Sequence, residues 1–109
     1  LLRRLELLSA VLGGTISISG DYPAWEYSAD SPLRRLMAEV FAEQCGHAPT
    51  VEVIHAGVEC GLLADKLSGL DCVSIGPDLT EIHTPRERMH IASVQRTWAL
   101  LTETLRRLR

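Results

Sequence analysis

The chain has 109 residues, which is enough for one domain with a modest core and too few for two. Hydrophobic residues make up 46% of it and charged residues 23%, as in an ordinary soluble globular protein. The net charge of −3 argues against nucleic acid or an anionic membrane as the main partner. No apolar run approaches the roughly 20 residues that span a bilayer.

Cysteine usage and the first residues of the chain add two expectations. Cys45, Cys60 and Cys72 make an odd count without a C-x-x-C pair, which favours free thiols over disulfides or a cysteine zinc site and predicts a cytoplasmic location. No signal-peptide pattern opens the chain. It begins Leu-Leu-Arg-Arg, without an initiator methionine and already inside an amphipathic pattern, so we expect a piece of a longer protein.

The first third of the chain predicts one helix, one strand and a linker. Leucines at helical spacing in residues 1–12 form one stripe, and Gly13 and Gly14 end it. TISIS, residues 15–19, alternates as a strand with one solvent-exposed face does. Residues 20–32, GDYPAWEYSADSP, are rich in turn formers and have no period, which indicates a loop or an inter-domain linker.

The rest of the chain predicts alternating helices and strands. Ser31 is a suitable N-cap, and Pro32 suits the first position of a helix that Gly46 ends. The segments that follow are a strand at 50–54, a short helix at 62–67, a strand at 71–75, a polar loop at 77–88 and a last helix from about residue 89. This order implies an α/β fold with right-handed crossovers, in which a partly parallel sheet has flanking helices.

Two loops leave the carboxyl ends of the last two predicted strands, and in open α/β sheets ligands bind beyond such ends. The first is HAGVECG, residues 55–61. His55 could cap the strand or act in catalysis, and Glu59 could simply be stabilised by a helix N-terminus. Gly57 and Gly61 would let a ligand approach the backbone, whose N–H groups could hold an anion.

The second loop, GPDLTEIHTPRE, carries a histidine among charged residues. His83 could be a metal ligand or ordinary surface, and residue spacing leaves both interpretations open. A catalytic zinc needs about three protein ligands and a water. Spacing offers at most His83, with help from Asp78, Glu81 or His55. No H-E-x-x-H, G-x-S-x-G or G-x-x-x-x-G-K motif is present, so the residues alone do not define a complete active site.

HAGVECG, DCVSIGPDLTEIHTPRE and the following IASVQRTW together resemble the carboxyl-terminal part of the aminoacyl-histidine dipeptidases, also called Xaa-His or cytosolic non-specific dipeptidases. These enzymes belong to the larger group of co-catalytic zinc peptidases. The preceding SGDYPAWEYSADSPLRRLMAEVF resembles the family's crossing from its lid domain back to its catalytic domain. The resemblance covers essentially the whole chain.

The resemblance implies a domain organisation and a reaction. Residues 1–20 would end a lid domain of the dimerisation type, residues 21–31 would form a hinge, and residues 32–109 would complete the catalytic domain. The complete enzyme would use two zinc ions, or another divalent metal, to hydrolyse dipeptides, notably those with carboxyl-terminal histidine. The family's other metal ligands and its general base lie upstream of this chain, so we expect the chain alone to be inactive.

The resemblance also implies roles for particular residues. His83 would be a metal ligand, and Glu87 would support that ligand. The substrate wall would come from the first loop, through His55, Gly57, Glu59 and Gly61. The rest of the parent chain would be a partner. Independently of the resemblance, a truncated unit with an exposed sheet edge and apolar helix faces is expected to self-associate. The alternative is an α/β binding or dimerisation module without catalysis.

Overall fold

The structure is a computed structural model that describes residues 1–54 and 58–108. Within these ranges the chain forms an α/β arrangement of four helices and one small sheet. In chain order the elements are α1 (Leu2–Val11), α2 (Pro32–Cys45), α3 (Glu59–Lys66), β1 (Leu79–Thr80), β2 (Arg88–Met89) and α4 (Ile91–Arg107). None of these helices has the length and apolar composition needed to cross a membrane.

Local capping explains why the predicted helices form where they do. At the start of α2 the Ser31 hydroxyl accepts a hydrogen bond from Arg34 N–H at 3.0 Å, and Pro32 occupies the first turn. At its end Gly46 takes the left-handed conformation, with φ of 77°. The prediction for α2 is confirmed at both ends. The short helix α3 begins at Glu59, a few residues before its predicted start.

The sheet differs from the prediction. Residues 15–19, 50–54 and 71–75 were expected as strands, but each is neither helix nor strand in the structure. The sheet that the described residues form is a two-stranded antiparallel hairpin, in which Leu79 lies opposite Met89 and Thr80 opposite Arg88. A strand exists only when a neighbour completes its ladder of backbone hydrogen bonds. Because no described segment offers that neighbour to the three predicted strands, a partly parallel sheet is not present here.

The packed part of the chain lies between α2 and α4, which contact each other. Val40 and Met37 of α2 are buried there, with 0% and 8% exposure. An ion-pair network closes the far end: Arg107 of α4 binds Glu43 of α2, with its Nη1 3.0 Å from Glu43 Oε1, and also binds Glu103 of its own helix. The two helices are therefore held together by a small apolar core around Val40 and by ion pairs at the carboxyl end of α4.

Asp71 ties the segment before the hairpin to the start of α2. Its carboxylate accepts hydrogen bonds from the Ser31 hydroxyl at 2.6 Å and from Leu33 N–H at 2.8 Å. The second bond satisfies a backbone N–H that a helix N-terminus leaves without an intrahelical partner. The bond from Ser31 is the main cause that holds the pKa of Asp71 below its ordinary value. Residues 71–75 thus reach α2 through a side-chain clamp rather than through a strand ladder.

Most apolar side chains of the chain remain exposed. The radius of gyration is 19.1 Å, whereas a compact domain of about 100 residues has about 13 Å. The accessible surface is 9248 Å², against about 6000 Å² for a folded monomer of this mass. Helix α1 has no buried residue, and Trp98 of α4 is 65% exposed. Apolar faces of this extent are typical of surfaces that another part of a protein covers.

Candidate functional site

The predicted polar loop at 77–88 is the tip of the β1–β2 hairpin. Residues 81–87 connect the two strands and close on themselves through backbone turns. Thr84 N–H donates to the Glu81 carbonyl at 3.2 Å, Glu87 N–H donates to the Thr84 carbonyl at 3.1 Å, and the Thr84 hydroxyl donates to the Glu81 carbonyl at 2.7 Å. A polar stretch without a period is therefore a defined loop, and His83 lies within it.

The backbone of this loop takes an unusual conformation at two positions. Glu81 has φ of 51° and His83 has φ of 64°, and they are the non-glycine residues with positive φ in the described ranges. Side chains with a Cβ rarely adopt the left-handed region, where each residue costs roughly 1–3 kcal/mol. Such conformations persist when surrounding bonds impose them, and they concentrate at functional sites. The backbone strain found in the described residues thus lies at the candidate ligand His83 and at nearby Glu81.

Glu87 supports His83 through the backbone. The His83 N–H donates to Glu87 Oε2 at 2.7 Å. A hydrogen bond from an amide to a carboxylate is charge-assisted and stronger than one between neutral groups. This bond spans the loop from residue 83 to residue 87, so it holds His83 in its left-handed conformation. The contact fits the supporting role that the resemblance implies for Glu87.

The two carboxylates that spacing offered as further ligands have other partners. Asp78 Oδ2 is 2.8 Å from Arg96 Nη2, and Glu81 Oε2 is 2.7 Å from Arg86 Nε. Both pairs are exposed, so they contribute little to stability. They do orient the two acidic side chains toward guanidinium groups.

The described residues do not complete a metal site. Within residues 1–54 and 58–108 no group of three or more His, Cys, Asp or Glu side chains could hold a metal ion together. A catalytic zinc takes about three protein ligands. His83 therefore fits the role of one ligand in a set whose other members this part of the chain does not supply, and no reaction step follows from the chain by itself.

The described end of the first loop, residues 58–61, lies against the linker. Gly61 is buried, and a Cβ placed on it would lie 2.9 Å from the Pro23 carbonyl oxygen and 3.5 Å from Trp25 Cβ. The Tyr22 hydroxyl donates to the Val58 carbonyl at 2.7 Å. This close approach gives Gly61 a packing reason to be glycine, and its role in substrate binding stays a prediction.

The remaining candidates of the first loop divide between exposed and undescribed positions. Glu59 is exposed in the first turn of α3, where the helix dipole favours a carboxylate. His55 and Gly57 lie outside the described residues. Helix α3 contacts neither strand of the hairpin, so the described residues do not bring Glu59 and Gly61 together with the strands that carry His83.

One residue that contacts the base of the hairpin was not recognised in the sequence. Ser93, in the first turn of α4, is 2% exposed and hydrogen-bonds both ends of the hairpin, at Asp78 and at His90. A serine three residues after a helix N-cap is common enough that its spacing carries no signal. The contact of Ser93 with Asp78 and His90 depends on the hairpin, which was not predicted from the sequence.

Comparisons with known proteins find that the chain is similar to part of a dipeptidase and to part of a lysine hydrolase. No protein-family model matches it. Over 104 residues it is 39% identical to the cytosol non-specific dipeptidase of Escherichia coli, covering 95% of this chain and 21% of that protein. Over 105 residues it is 31% identical to the LysW-lysine hydrolase of Deinococcus radiodurans, covering 95% of this chain and 28% of that protein.

A solved structure agrees with the sequence relatives. The crystal structure of aminoacylhistidine dipeptidase from Vibrio alginolyticus superposes on 94% of this chain with a TM-score of 0.74 and 35% identity, and the match covers 21% of that protein. The chain thus spans between about a fifth and somewhat more than a quarter of the length of its relatives. It is homologous to a carboxyl-terminal portion of the dipeptidases, as the resemblance in its loops predicted.

Proposed function

We propose that this chain supplies the carboxyl-terminal part of a metal-dependent dipeptidase, in which His83 is a metal ligand. One observation carries the proposal: a chain homologous to dipeptidases holds a loop histidine in the left-handed region and fixes its backbone amide to Glu87 at 2.7 Å. A ligand that must meet a metal with defined geometry benefits from such a fixed backbone. The complete protein, meaning the polypeptide to which this portion belongs, would supply the other ligands.

The proposed metal is zinc, two ions per complete site, or another divalent metal. When bound, it would supply Lewis-acid polarisation of the peptide carbonyl and an activated water. The part of this chain is to present the His83 imidazole and to keep it in place through Glu87. The proposed substrates are dipeptides, including those with carboxyl-terminal histidine.

We further propose that the first loop forms part of the substrate wall. The residues concerned are His55, Gly57, Glu59 and Gly61. Support comes from the likeness of the chain to dipeptidases and from Glu59, which is exposed in the first turn of α3. The backbone N–H groups at the start of α3 would donate hydrogen bonds to a substrate carboxylate.

The domain division that the resemblance implies is proposed as well. Residues 1–20 would end the lid, 21–31 would form the hinge, and 32–109 would complete the catalytic domain. Arg34 binds the second half of the hinge: its guanidinium lies 4.5 Å from the Tyr27 ring centroid, and it donates to the Ser28 carbonyl at 2.6 Å. Arg34 thus ties the second half of the proposed hinge to α2, while the Tyr22 hydroxyl ties its first half to Val58 at the start of α3.

The partly parallel sheet is proposed for the complete protein. Residues 50–54 and 71–75 would pair there with strands that the rest of the polypeptide provides. The exposure of Val53 and Ile54, at 77% and 61%, supports this, because apolar strand residues of α/β proteins are normally covered on both faces.

A cytoplasmic location and self-association are proposed as well. Support for the location is that Cys45, Cys60 and Cys72 are free thiols.

The alternative function is a binding or dimerisation module without catalysis. The observation that favours it is the leucine-rich face of α1, which has no buried residue. The two functions differ in metal content, since a dimerisation module has no reason to bind zinc through His83.

Replacing His83 by Asn in the complete protein tests the proposal. Asparagine tolerates the left-handed backbone, so His83→Asn removes the imidazole without adding backbone strain. We expect a loss of at least about 100-fold in dipeptide hydrolysis together with a fall in bound zinc, because first-coordination ligands matter more than the supporting groups that typically contribute 10–100-fold. The measurements are turnover of a Xaa-His dipeptide and metal content by mass spectrometry.

The matched control is His47→Asn. His47 is exposed after the end of α2, and its Nδ1 lies 3.0 Å from the Ala48 carbonyl oxygen, far in sequence from the hairpin. This variant should keep full zinc content and activity. Equal zinc content in the two variants would contradict the role of His83. Zinc-free wild-type protein without dipeptidase activity would favour the dimerisation module.

A further inference from the structure

The base of the hairpin that carries His83 is closed by one buried hydroxyl. Ser93 Oγ accepts a hydrogen bond from Asp78 N–H at 2.8 Å and donates one to the His90 carbonyl at 2.6 Å. Asp78 immediately precedes β1, and His90 immediately follows β2. The two residues also bond each other, with His90 N–H donating to the Asp78 carbonyl at 3.0 Å. Two hydrogen bonds thus join the ends of the hairpin to Ser93 in the first turn of α4, and a third joins the two ends to each other.

The chemistry of this contact requires a hydroxyl. A serine side chain can accept and donate at the same oxygen, whereas alanine can do neither. Ser93 is 2% exposed, so water cannot readily replace a missing partner. Removing the hydroxyl would leave the Asp78 N–H without this partner in a part-buried place, whereas the His90 carbonyl would keep the Ser93 N–H at 2.9 Å.

The hairpin depends on this base for its position. Its strands have two residues each, and all residues from 79 to 90 are exposed. A two-stranded hairpin of this size is marginally stable by itself in water. The buried contact with Ser93 therefore sets where the hairpin stands on α4, while Glu87 sets the conformation of His83 within the loop.

We infer that Ser93 is a positioning residue for the metal ligand His83, acting through the base of the β1–β2 hairpin. The inference rests on the proposed function, because it assigns Ser93 to the same metal site. Ser93 touches neither metal nor substrate in this account. It fixes the orientation of the hairpin, so that the His83 imidazole can bind the same metal as the ligands from the rest of the protein.

The test compares two deletions of a buried hydroxyl from α4 in the complete protein. Ser93→Ala removes the hydroxyl that joins the hairpin. Thr104→Val removes a hydroxyl that is equally buried but donates to the Leu100 carbonyl of the same helix, at 2.8 Å. We expect Ser93→Ala to weaken zinc binding by about 10–100-fold, as loss of an orienting partner does, and Thr104→Val to leave it unchanged. Zinc affinity is measured by competition with a chelator, and thermal unfolding of both variants shows that they are folded.

Two further readouts separate positioning from a general loss of stability. Amide hydrogen exchange of the metal-free protein should speed up at residues 79–90 in Ser93→Ala and not in Thr104→Val. In the cobalt-substituted protein the visible absorption of Ser93→Ala should change in shape or intensity, since the coordination geometry changes. Unchanged hairpin exchange together with unchanged zinc affinity would overturn the inference.

A second pair of variants keeps the inference testable if Ser93→Ala does not fold. Ser93→Thr and Ser93→Val have nearly the same shape and differ in the hydroxyl, so any crowding by the added methyl group is common to both. Zinc affinity should be higher in Ser93→Thr than in Ser93→Val, and equal affinities would contradict the role of the hydroxyl. If His83→Asn leaves zinc affinity intact, the proposed function fails. If His83→Asn lowers it and Ser93→Ala matches Thr104→Val, the positioning role alone fails.

Discussion

At the residue scale, His83 differs from the two other histidines that the structure describes in its backbone. His90 has φ of −78° and is the N-cap of α4, and His47 follows α2 without positive φ. His83 has φ of 64° and an amide bound to a carboxylate. The charged loop was visible in the sequence, and family resemblance singled out the histidine within it. Its left-handed conformation was not predictable, because it results from bonds that exist only once residues 81–87 have closed.

Gly61 allows a residue-scale prediction about packing. A Cβ at this position would lie 2.9 Å from the Pro23 carbonyl oxygen, which is backbone and cannot rotate away. We expect Gly61→Ala to lower the free energy of unfolding by about 1–2 kcal/mol, because overpacking of this kind costs typically 1–3 kcal/mol and alanine regains up to about 1 kcal/mol of helix propensity. The measurement is the thermal unfolding midpoint of the complete protein.

Gly76→Ala is the control for this substitution. Nothing lies within 4 Å of a Cβ built on Gly76, and its φ is not positive. We expect this variant to be neutral or slightly stabilised, since alanine restricts the unfolded chain. A Gly61→Ala variant as stable as Gly76→Ala would show that the linker does not pack on α3 as described.

At the scale of elements, the helices were predictable and the strands were not. The signals for α2 are local: Ser31 and Pro32 start the helix and Gly46 ends it within one stretch of chain. A strand depends on a partner far away in sequence, so the apolar segments 50–54 and 71–75 could predict burial but not pairing. The hairpin was missed because its strands are short and exposed, without the alternation that predicts a strand.

Arg107 carries the element-scale prediction. It binds Glu43 across the α2–α4 interface as well as Glu103, whereas Arg106 binds Glu103 alone. Arg107→Ala should therefore lower the thermal unfolding midpoint more than Arg106→Ala does. The difference between the unfolding midpoints of the two variants should become smaller in about 1 M salt, where the screening length falls to about 3 Å. An equal effect of the two variants at low salt would contradict a role for Arg107 in joining the helices.

The pH dependence of this network follows from Glu103. Hydrogen bonds from Arg106 and then Arg107 lower its pKa to about 2. A carboxylate with a lowered folded-state pKa stabilises the protein above its unfolded pKa, near 4.3, and loses that contribution as pH falls through the folded value. The difference between Arg107→Ala and wild type should thus be constant from about pH 5 to 8 and diminish below about pH 4. Thermal unfolding midpoints of both proteins, measured from about pH 3 to 8, give this difference.

At the scale of the whole molecule, the exposed surface and the comparisons agree. The chain has a radius of gyration of 19.1 Å and leaves the apolar faces of α1 and α4 open. It spans 21% of the E. coli dipeptidase it resembles. The proposed metal site, to which the described residues would contribute His83, and the helix pair with two buried apolar residues have the same proposed explanation. Their partners would belong to the remainder of the complete protein.

The most direct test of the central claim is an anomalous-diffraction map at the zinc edge, collected from crystals of the complete protein. We predict a zinc peak with a ring nitrogen of His83 at about 2.0–2.1 Å, the usual zinc–histidine distance. The peak should be absent or displaced in His83→Asn and present in His47→Asn. A zinc site whose ligands exclude His83, with the 81–87 loop facing solvent, would contradict the proposal that His83 is a metal ligand.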